Sequence, residues 1–311
     1  MIAAWNPAQP EITDLIIQHD PNTLARLSVE KDAVIRAFSA FRNRKALRAV
    51  EALPDQSGVL DNAAVDRILI STHWEMQRLA EEFYHGHRVW DLLRRVVATA
   101  RASGVRDKLR VIDVGCGIGY TARWLAAHLP LEELGLEIVG MDLNGTLIRE
   151  ATRLAAAERL HCHFIQGDAF SLAHSGHIYL STGVIHHFRG DSLGEFLRRH
   201  EQPGTFAFLH YDFQPSFLAP YGSWFFHYLR MRTAIAKHDG VLSAVRAHNA
   251  KTLTEAARAA VPGFASGIYG ARMWKTPLPR VFHTLLGIRR LVLTEFRRQL
   301  GVRATRLGEL R

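Results

Sequence analysis

The chain has 311 residues, of which 48% are hydrophobic and 22% charged, so its composition is that of a globular protein and excludes a disordered chain. Two cysteines are too few for a disulfide framework, no apolar run reaches membrane-spanning length, and the first residues lack the basic start and apolar core of a signal peptide; we therefore expect a cytoplasmic protein. The net charge of +9 lies mostly in residues 275–311, which hold nine Lys and Arg residues against two acidic ones.

The first third of the chain is predicted to be helical. Apolar residues recur at helical spacing between residues 12 and 103, and no convincing strand interrupts them. The spacing predicts helices over residues 12–16, 22–54, 63–85 and 87–103, with a loop at 54–62. Their apolar stripes are typical of helices that pack against other elements. We therefore expect a helical N-terminal region that covers residues 1–105.

From residue 109 the pattern changes to alternating strands and helices. This alternation is typical of the α/β class, with a doubly wound, mostly parallel sheet and helices on both of its faces. Ligands of such sheets bind beyond the carboxyl ends of the strands, and Asp113, Asp142, Asp168 and Ser181 all lie at predicted strand ends. The predicted strands cover residues 109–114, 136–141, 161–166, 177–182 and 204–211, and the helices between them cover 145–158 and 191–201.

The last third contains an aromatic-rich insertion and a basic C-terminal segment. The insertion covers residues 214–248, after which we predict a helix over 252–261 and a final strand or strand pair over 264–274. Within residues 277–311, apolar side chains at helical spacing predict one basic amphipathic helix over 281–300. This helix would either dock on the protein through its apolar face, which we prefer, or contact an anionic membrane surface peripherally.

The stretch from residue 109 to 129 indicates a strand, a tight turn and a helix, with glycines at 115, 117 and 119 in the turn. Glycine adopts backbone angles closed to other residues and lets a ligand approach the main chain, and the N terminus of the helix favours a polar or anionic group. Residues 117–122 also satisfy the dinucleotide pattern G-x-G-x-x-A, which leaves an NAD-dependent oxidoreductase as an alternative. However, Asp113 lies two residues before the first glycine, where a carboxylate would repel a pyrophosphate and would suit a cationic ligand.

The string DVGCGIG, residues 113–119, resembles the first motif of the class I S-adenosylmethionine-dependent methyltransferases. The resemblance extends over about residues 84–274. It implies a Rossmann-like methyltransferase domain with a seven-stranded sheet, here placed at residues 106–276, S-adenosylmethionine as the cofactor, and the preceding helices as a lid. It also implies which residues bind the cofactor: Asp113, Gly115, Cys116, Gly117, Gly119, Asp142, Leu143, Asp168, Ala169 and Ser181.

The resemblance gives each of the three carboxylates a role. Asp113 would lie near the ammonium group, Asp142 would accept hydrogen bonds from both ribose hydroxyls, and Asp168 would accept one from the adenine amine. Two of them also have a purely structural interpretation, since Asp142 could cap the following helix and Asp168 could be a turn residue. Cys116 is interpreted as a small loop residue, because nothing marks it as a nucleophile.

Two adjacent histidines are the candidate catalytic residues. A sulfonium methyl group is already electrophilic, so the protein must mainly align the acceptor and exclude water. A hydroxyl acceptor would also benefit from a base that titrates near neutral pH, and His187, or less favourably His186, follows the predicted strand 177–182. The alternative is that one imidazole packs against the sheet and the other hydrogen-bonds the backbone.

The acceptor is expected to be a small molecule methylated on oxygen, carbon or nitrogen. The chain has no N/D-P-P-Y/F motif, no Pro-Cys pair and no pair of glutamates after the fourth strand, which disfavours nucleic acid and protein arginine as acceptors. The aromatic insertion suggests an aromatic or hydrophobic acceptor, although its side chains could equally belong to the core. His161, Cys162 and His163 lack the further ligands of a zinc site, so no metal is expected. A non-catalytic cofactor-binding partner in a biosynthetic complex remains the alternative, and the sequence does not indicate an oligomeric state.

Overall fold

A computed structural model describes residues 6–172, 176–270 and 281–307. The chain divides into two compact units. Unit 1 comprises Met1–Glu82 and Pro215–Arg246, and unit 2 comprises Phe83–Gln214 and Ala247–Arg311. Among the described residues, none of the helices has both the length and the hydropathy that crossing a bilayer would require.

The helices account for most of unit 1 and flank the sheet of unit 2. In chain order they are α1 (Ile12–Ile16), α2 (Lys31–Ala40), α3 (Arg44–Glu51), α4 (Asn62–Glu82), α5 (His85–Ala102), α6 (Tyr120–His128), α7 (Leu131–Leu134), α8 (Gly145–Ala157), α9 (Asp191–Arg198), α10 (Ala219–Arg230), α11 (Ala234–Arg246), α12 (Ala250–Ala260) and α13 (Leu293–Leu300).

The strands form one small hairpin and one large sheet. In chain order they are β1 (Asp55–Gln56), β2 (Val59–Leu60), β3 (Leu109–Val114), β4 (Leu136–Asp142), β5 (His163–Gln166), β6 (Ile178–Thr182), β7 (Ala207–Phe213), β8 (Phe264–Tyr269) and β9 (Phe282–Arg289). The large sheet has the order β5-β4-β3-β6-β7-β9-β8. Its first five strands are parallel, whereas β9 runs antiparallel to both β7 and β8.

Unit 2 is a three-layer α/β structure, as the alternating pattern predicted. Successive residues of a strand point to opposite faces, and each face has its own apolar cluster. On one face, Val111 and Ile138 pack with side chains of α5, α6 and α13. On the other face, Ile112 and Val139 pack with side chains of α9 and α12. Burial on both faces explains why the parallel strands are nearly continuous apolar runs. The prediction of a doubly wound, mostly parallel seven-stranded sheet is confirmed.

Unit 1 is a helical assembly in which α11 packs with the N-terminal helices. Its apolar cluster includes Ile12, Phe38, Val50 and Ile235. The carboxylate of Asp239, on α11, accepts hydrogen bonds from the backbone N–H of Ile12 at 2.8 Å and from that of Thr13 at 3.0 Å. These two N–H groups lie in the first turn of α1 and have no partner within the helix. Asp239 therefore fixes the start of α1 to α11.

Two expectations for the N-terminal region need correction. The helix predicted over residues 22–54 is two helices, α2 and α3, which are separated at Arg42, where φ is 51°. Asn43 then caps α3, because its side chain accepts hydrogen bonds from the N–H groups of Lys45 and Ala46. In addition, the predicted loop at 54–62 contains the two-residue strands β1 and β2, which pair as a hairpin.

The helix predicted over residues 281–300 is wrong for its first half. Phe282–Arg289 is strand β9, which lies between β7 and β8 and is buried along nearly its whole length. A strand covered on both faces is a continuous apolar run, which spacing alone does not distinguish from a buried helix. The helical part begins with a 3-10 turn over Arg290–Val292 and continues as α13. Of the predicted last strand or strand pair, β8 is observed, and residues 271–274 lie outside the described residues.

Candidate active site

The glycine loop after β3 has a backbone shape that requires glycine. Gly115, Gly117 and Gly119 have φ angles of 68°, 57° and 77°, in the left-handed region that other residues rarely adopt. A Cβ on Gly115 would lie 2.7 Å from Cγ2 of Val184, and one on Gly119 would lie 2.3 Å from Cε1 of Phe164. The loop is thus held closely against its neighbours and ends at Gly119, the residue that precedes α6.

Asp113 is a buried carboxylic acid at the carboxyl end of β3. Its side chain is 1% exposed, and neither carboxylate oxygen has a hydrogen-bond partner among the described residues. Burial, followed by the negative charge of Asp142, raises the pKa of Asp113 to about 8. An orphaned buried carboxylate is costly, and a cationic group beside it would favour its ionised form. Asp113 is therefore suited to a ligand that carries an ammonium group.

Asp142 ties the end of β4 to the glycine loop. Its Oδ2 accepts a hydrogen bond from the backbone N–H of Gly117 at 2.9 Å, and its Oδ1 accepts one from that of Asn144, also at 2.9 Å. Asn144, not Asp142, caps α8, because its side chain accepts from the N–H groups of Thr146 and Leu147. Leu143, the residue between them, exposes its side chain. The structural alternative, in which Asp142 caps the helix, is therefore not what the structure contains.

Asp168 and Ala169 form the turn that follows β5. Oδ1 of Asp168 accepts a hydrogen bond from the N–H of Phe170 at 2.9 Å, and the backbone carbonyl of Asp168 accepts one from Ser171 at 3.0 Å. These bonds are those of a turn residue. Ala169 is partly buried and packs against the apolar cluster on one face of the sheet. The turn interpretation of Asp168 accounts for its observed bonds, and its role toward adenine stays a prediction.

Ser181 is buried at the end of β6, and its role toward the cofactor stays a prediction. Its hydroxyl lies 2.9 Å from Nδ1 of His210, and both residues are buried. Burial, followed by the charge of His200, lowers the pKa of His210 well below its ordinary value, so this imidazole is neutral. The next residue, Thr182, points to the other face of the sheet, where its Oγ1 lies 3.3 Å from that of Thr121 on α6. The hydroxyl at the end of β6 that adjoins the glycine-loop helix is thus that of Thr182.

Cys116 lies within the loop and is not poised as a nucleophile. Burial, followed by the carboxylates of Asp142 and Asp113, raises the pKa of its thiol well above the ordinary value. The thiol donates a hydrogen bond to the carbonyl of Gly117, with Sγ 3.6 Å from the oxygen. A cysteine nucleophile must be a thiolate, so these surroundings agree with a small loop residue.

His186 and His187 follow β6 on a short 3-10 helix. His186 is buried, and its Nδ1 lies 2.9 Å from both oxygens of Asp212, on β7. Its backbone N–H also donates to Oδ2 of Asp212 at 3.0 Å. Burial alone would raise the pKa of Asp212, but the charge of His186 and the hydrogen bonds lower it below its ordinary value. The pair therefore anchors the 3-10 helix to β7.

His187 is only partly buried, and its ring centroid lies 4.5 Å from that of His186. The two histidines thus differ in position: His186 is fixed by a buried carboxylate, whereas His187 lies closer to solvent.

Asp212 itself was not predicted to be functional. It lies one residue beyond the predicted end of its strand, so the rule that ligands bind at strand ends could have identified it.

Aromatic side chains cluster at the carboxyl end of β7, where the antiparallel strand β9 begins. Phe282 pairs in register with Phe213, and their ring centroids are 5.1 Å apart. The ring of His85, on α5, lies 4.6 Å from that of Phe282, and the ring of Phe83 lies 5.6 Å from it. Because β6 and β7 are parallel, this end of the sheet also carries Asp212 and the 3-10 helix bound to it.

Comparisons with known proteins identify part of unit 2. Residues 111–202 match the family model described as a methyltransferase domain. A sterol 24-C-methyltransferase of Gibberella zeae is 34% identical over 76 residues, which are 24% of this chain and 19% of that protein. A chloroplastic tocopherol O-methyltransferase of Arabidopsis thaliana is 35% identical over 74 residues, 22% of this chain and 20% of that protein. The match thus spans about a fifth of the length of these curated relatives.

Solved structures resemble the chain more broadly but at low identity. A magnesium protoporphyrin IX methyltransferase from Synechocystis PCC 6803 is 17% identical, with 83% of this chain and 99% of that chain covered and a TM-score of 0.39. The plantazolicin methyltransferase BpumL is 13% identical, with 73% and 96% covered and a TM-score of 0.45.

Proposed function

We propose that the chain is a class I, S-adenosylmethionine-dependent methyltransferase that transfers the cofactor's methyl group directly to a small apolar molecule, and the match of residues 111–202 to a methyltransferase domain supports this. The observation that carries the proposal is the buried carboxylate of Asp113, which lacks hydrogen-bond partners among the described residues and lies beside a glycine loop. The ammonium group of S-adenosylmethionine is the kind of cation that such a carboxylate needs.

The glycine loop and the carboxylates of Asp113 and Asp142 would each bind a different part of the cofactor. Asp113 would pair with the ammonium group, and the N–H groups at the start of α6 favour the carboxylate of the same amino-acid moiety. Asp142 would accept the ribose hydroxyls, since two carboxylate oxygens match two adjacent donors. Leu143, exposed next to Asp142, would supply apolar contact for the adenine.

When bound, the cofactor supplies a methyl group that is already electrophilic, so the residues of the chain need only align the acceptor, exclude water and accept a proton. We assign proton acceptance to His187, because Asp212 already holds Nδ1 of its neighbour His186. The protonated state of the Cys116 thiol, whose pKa is well above its ordinary value, argues against a covalent enzyme intermediate.

An apolar acceptor is supported by two observations. Aromatic rings pack together beside Asp212, among them Phe213 and the buried Phe282, and a flat apolar acceptor would be compatible with such apolar surroundings. In addition, the two curated relatives, which match over about a fifth of their length, are named for a sterol and a tocopherol. The atom that receives the methyl group is left open among oxygen, carbon and nitrogen.

The proposal is tested by measuring release of S-adenosylhomocysteine with a panel of acceptors that differ in polarity and in acceptor atom. We expect turnover with apolar phenols or prenylated rings and little turnover with polar amines or with oligonucleotides. Asp142→Ala serves as the cofactor-binding control and should lose the activity. Tight binding of S-adenosylmethionine without turnover of any acceptor would contradict the proposal and would favour a non-catalytic cofactor-binding role.

A further inference from the structure

Helix α10 has its polar side turned toward the protein. Ser223 and His227 are buried on this side. The hydroxyl of Ser223 donates to the carbonyl of Gly240, on α11, at 2.7 Å, and the same hydroxyl lies 3.1 Å from Nδ1 of His227. A Cβ on Gly240 would lie 2.0 Å from Nε2 of His227, so the two helices are in close contact. A surface helix normally buries its apolar stripe and exposes its polar one; α10 does the opposite.

The exposed side of α10 is aromatic. At 100° per residue these side chains fall on one arc of about 200°, and two apolar residues just before the helix, Phe217 and Leu218, are also exposed. Single exposed apolar residues need no explanation, but a contiguous patch marks an interaction site. The members of this aromatic face are Tyr221, Trp224, Phe225, Phe226, Tyr228 and Leu229.

The charged residues in the chain segment around the aromatic face are all cationic. No Asp or Glu occurs between Asp212 and Asp239, whereas Arg230, Arg232 and Lys237 follow the face. Arg230 forms an ion pair with Glu82, at the end of α4, so the excess positive charge beside the face comes from Arg232 and Lys237. Nζ of Lys237 lies 5.7 Å from the centroid of the Tyr228 ring, at the border of the patch. An aromatic face bordered by cations matches an anionic lipid surface, in which rings enter the headgroup region and cations contact phosphates. A second copy of the chain would instead bring like charges together.

We propose that α10 is an interfacial membrane-binding helix that lies flat on an anionic bilayer, with its aromatic face in the headgroup region. Its 12 residues extend about 18 Å, well short of the ~30 Å hydrocarbon core, so the helix lies on the bilayer and does not span it. This membrane contact is different from the one considered above for the C-terminal helix. The proposal does not depend on methyl transfer, because it concerns a surface of unit 1 and is tested by membrane binding alone.

Vesicle co-sedimentation tests the proposal with the full chain. The probes are phosphatidylcholine vesicles with and without one third phosphatidylglycerol. We expect binding to the anionic vesicles that weakens as salt is raised. The double variant Phe225→Glu/Tyr228→Glu should reduce the partition coefficient about tenfold or more. Leu291→Glu is the matched control, because Leu291 is 98% exposed and lies in the C-terminal segment; it should bind like the wild type.

Fluorescence supplies a second readout that does not depend on the double variant. Lipids brominated near the headgroup should quench Trp224, and Trp224→Phe should lose this quenching while it still sediments with the vesicles. Equal binding by the double variant and the wild type, both with unchanged melting curves, would overturn the proposal. So would a loss caused by Leu291→Glu, or a dimer that the double variant dissociates in the absence of any vesicle binding.

Discussion

Asp113 is the residue whose ionisation should respond most directly to the cofactor. Its pKa is about 8 in the absence of ligand, because burial and, to a smaller extent, the negative charge of Asp142 disfavour its ionised form. An ammonium group beside it would favour the ionised carboxylate. Below pH 8 the ligand-free protein must lose a proton to bind, so affinity for S-adenosylmethionine should fall as the pH falls, by up to about tenfold per unit.

Calorimetric titration at pH 6.0, 6.8 and 7.5, in buffers of different ionisation enthalpy, measures both the affinity and the protons released. Asp113→Asn should bind more weakly and lose most of the pH dependence. An affinity that is constant over this range in the wild type would show that Asp113 does not titrate against the ligand.

Asp142 is expected to matter for binding through charge-assisted hydrogen bonds to the ribose. Asp142→Ala removes two acceptor oxygens and also leaves the N–H of Gly117 without its observed acceptor. Affinity for S-adenosylmethionine should drop by ~1.5–3 kcal/mol, or about 10–100-fold. Glu137→Gln is the control, since Glu137 lies on the same strand but pairs with Arg110. Equal affinities for wild type and Asp142→Ala would refute this assignment.

His187 is expected to affect turnover and not cofactor binding. If the acceptor is a hydroxyl, His187→Gln should lower kcat by ~10²–10⁴ while affinity for S-adenosylmethionine stays nearly unchanged. The control is His163→Gln, because His163 is an exposed histidine on β5. The measurement is kcat between pH 6 and 9 on an identified acceptor. Full activity of His187→Gln with a hydroxyl acceptor would leave His187 a packing or positioning residue.

The glycine loop is the element whose shape most depends on residue type. Gly119 and Gly183 both have left-handed φ angles, 77° and 70°. A Cβ on Gly119 would lie 2.3 Å from the ring of Phe164, whereas a Cβ on Gly183 would have no atom of the described residues within 4 Å, apart from its chain neighbours. Both Gly→Ala variants should therefore suffer backbone strain, but only Gly119→Ala should also suffer a steric clash. Gly119→Ala should lower the free energy of unfolding by ~1–3 kcal/mol more than Gly183→Ala.

Urea unfolding of the wild type and both variants measures this difference. The m-values should be equal, so that the comparison reflects stability alone. If the two variants were destabilised equally, the φ angle would account for the whole cost, and the contact between the loop and Phe164 would be unimportant.

At the scale of elements, the sequence predicts features that depend on local pattern. The ends of β3 and β4 were located because apolar runs stop at Asp113 and Asp142, and the observed strands end within one residue of the prediction. Strand β9 could not be located, because burial on both faces removes the period of two.

The partners of the candidate site residues depend on strand order. Asp212 meets His186 because β7 lies beside β6 in a fixed register. That same register brings His210 opposite Ser181. Contacts between residues this far apart in sequence depend on the tertiary structure, so they could not be predicted from local sequence patterns.

At the scale of the whole molecule, net charge bears on which nucleotide cofactor would be attracted. The chain carries +9, so it attracts anions such as NAD nonspecifically at low salt, whereas S-adenosylmethionine, itself cationic, gains nothing from this field. Stabilisation by NAD at low salt would therefore not demonstrate a dinucleotide site. Only stabilisation that persists when the charges are screened distinguishes the two cofactors.

We therefore expect S-adenosylmethionine, at about 100 times its dissociation constant, to stabilise the protein by ~2.7 kcal/mol and to raise the melting temperature by roughly 5 °C in 0.3 M salt. NAD should give no shift at that salt, because Asp113 places a buried carboxyl group, without a cationic partner among the described residues, beside the glycine loop, where a pyrophosphate would have to lie. Asp142→Ala should lose most of the shift with S-adenosylmethionine and leave the melting of the ligand-free protein within a few degrees. Differential scanning calorimetry at 0.05 and 0.3 M salt makes the comparison. A shift with NAD that survives 0.3 M salt and equals that with S-adenosylmethionine would reverse the cofactor assignment.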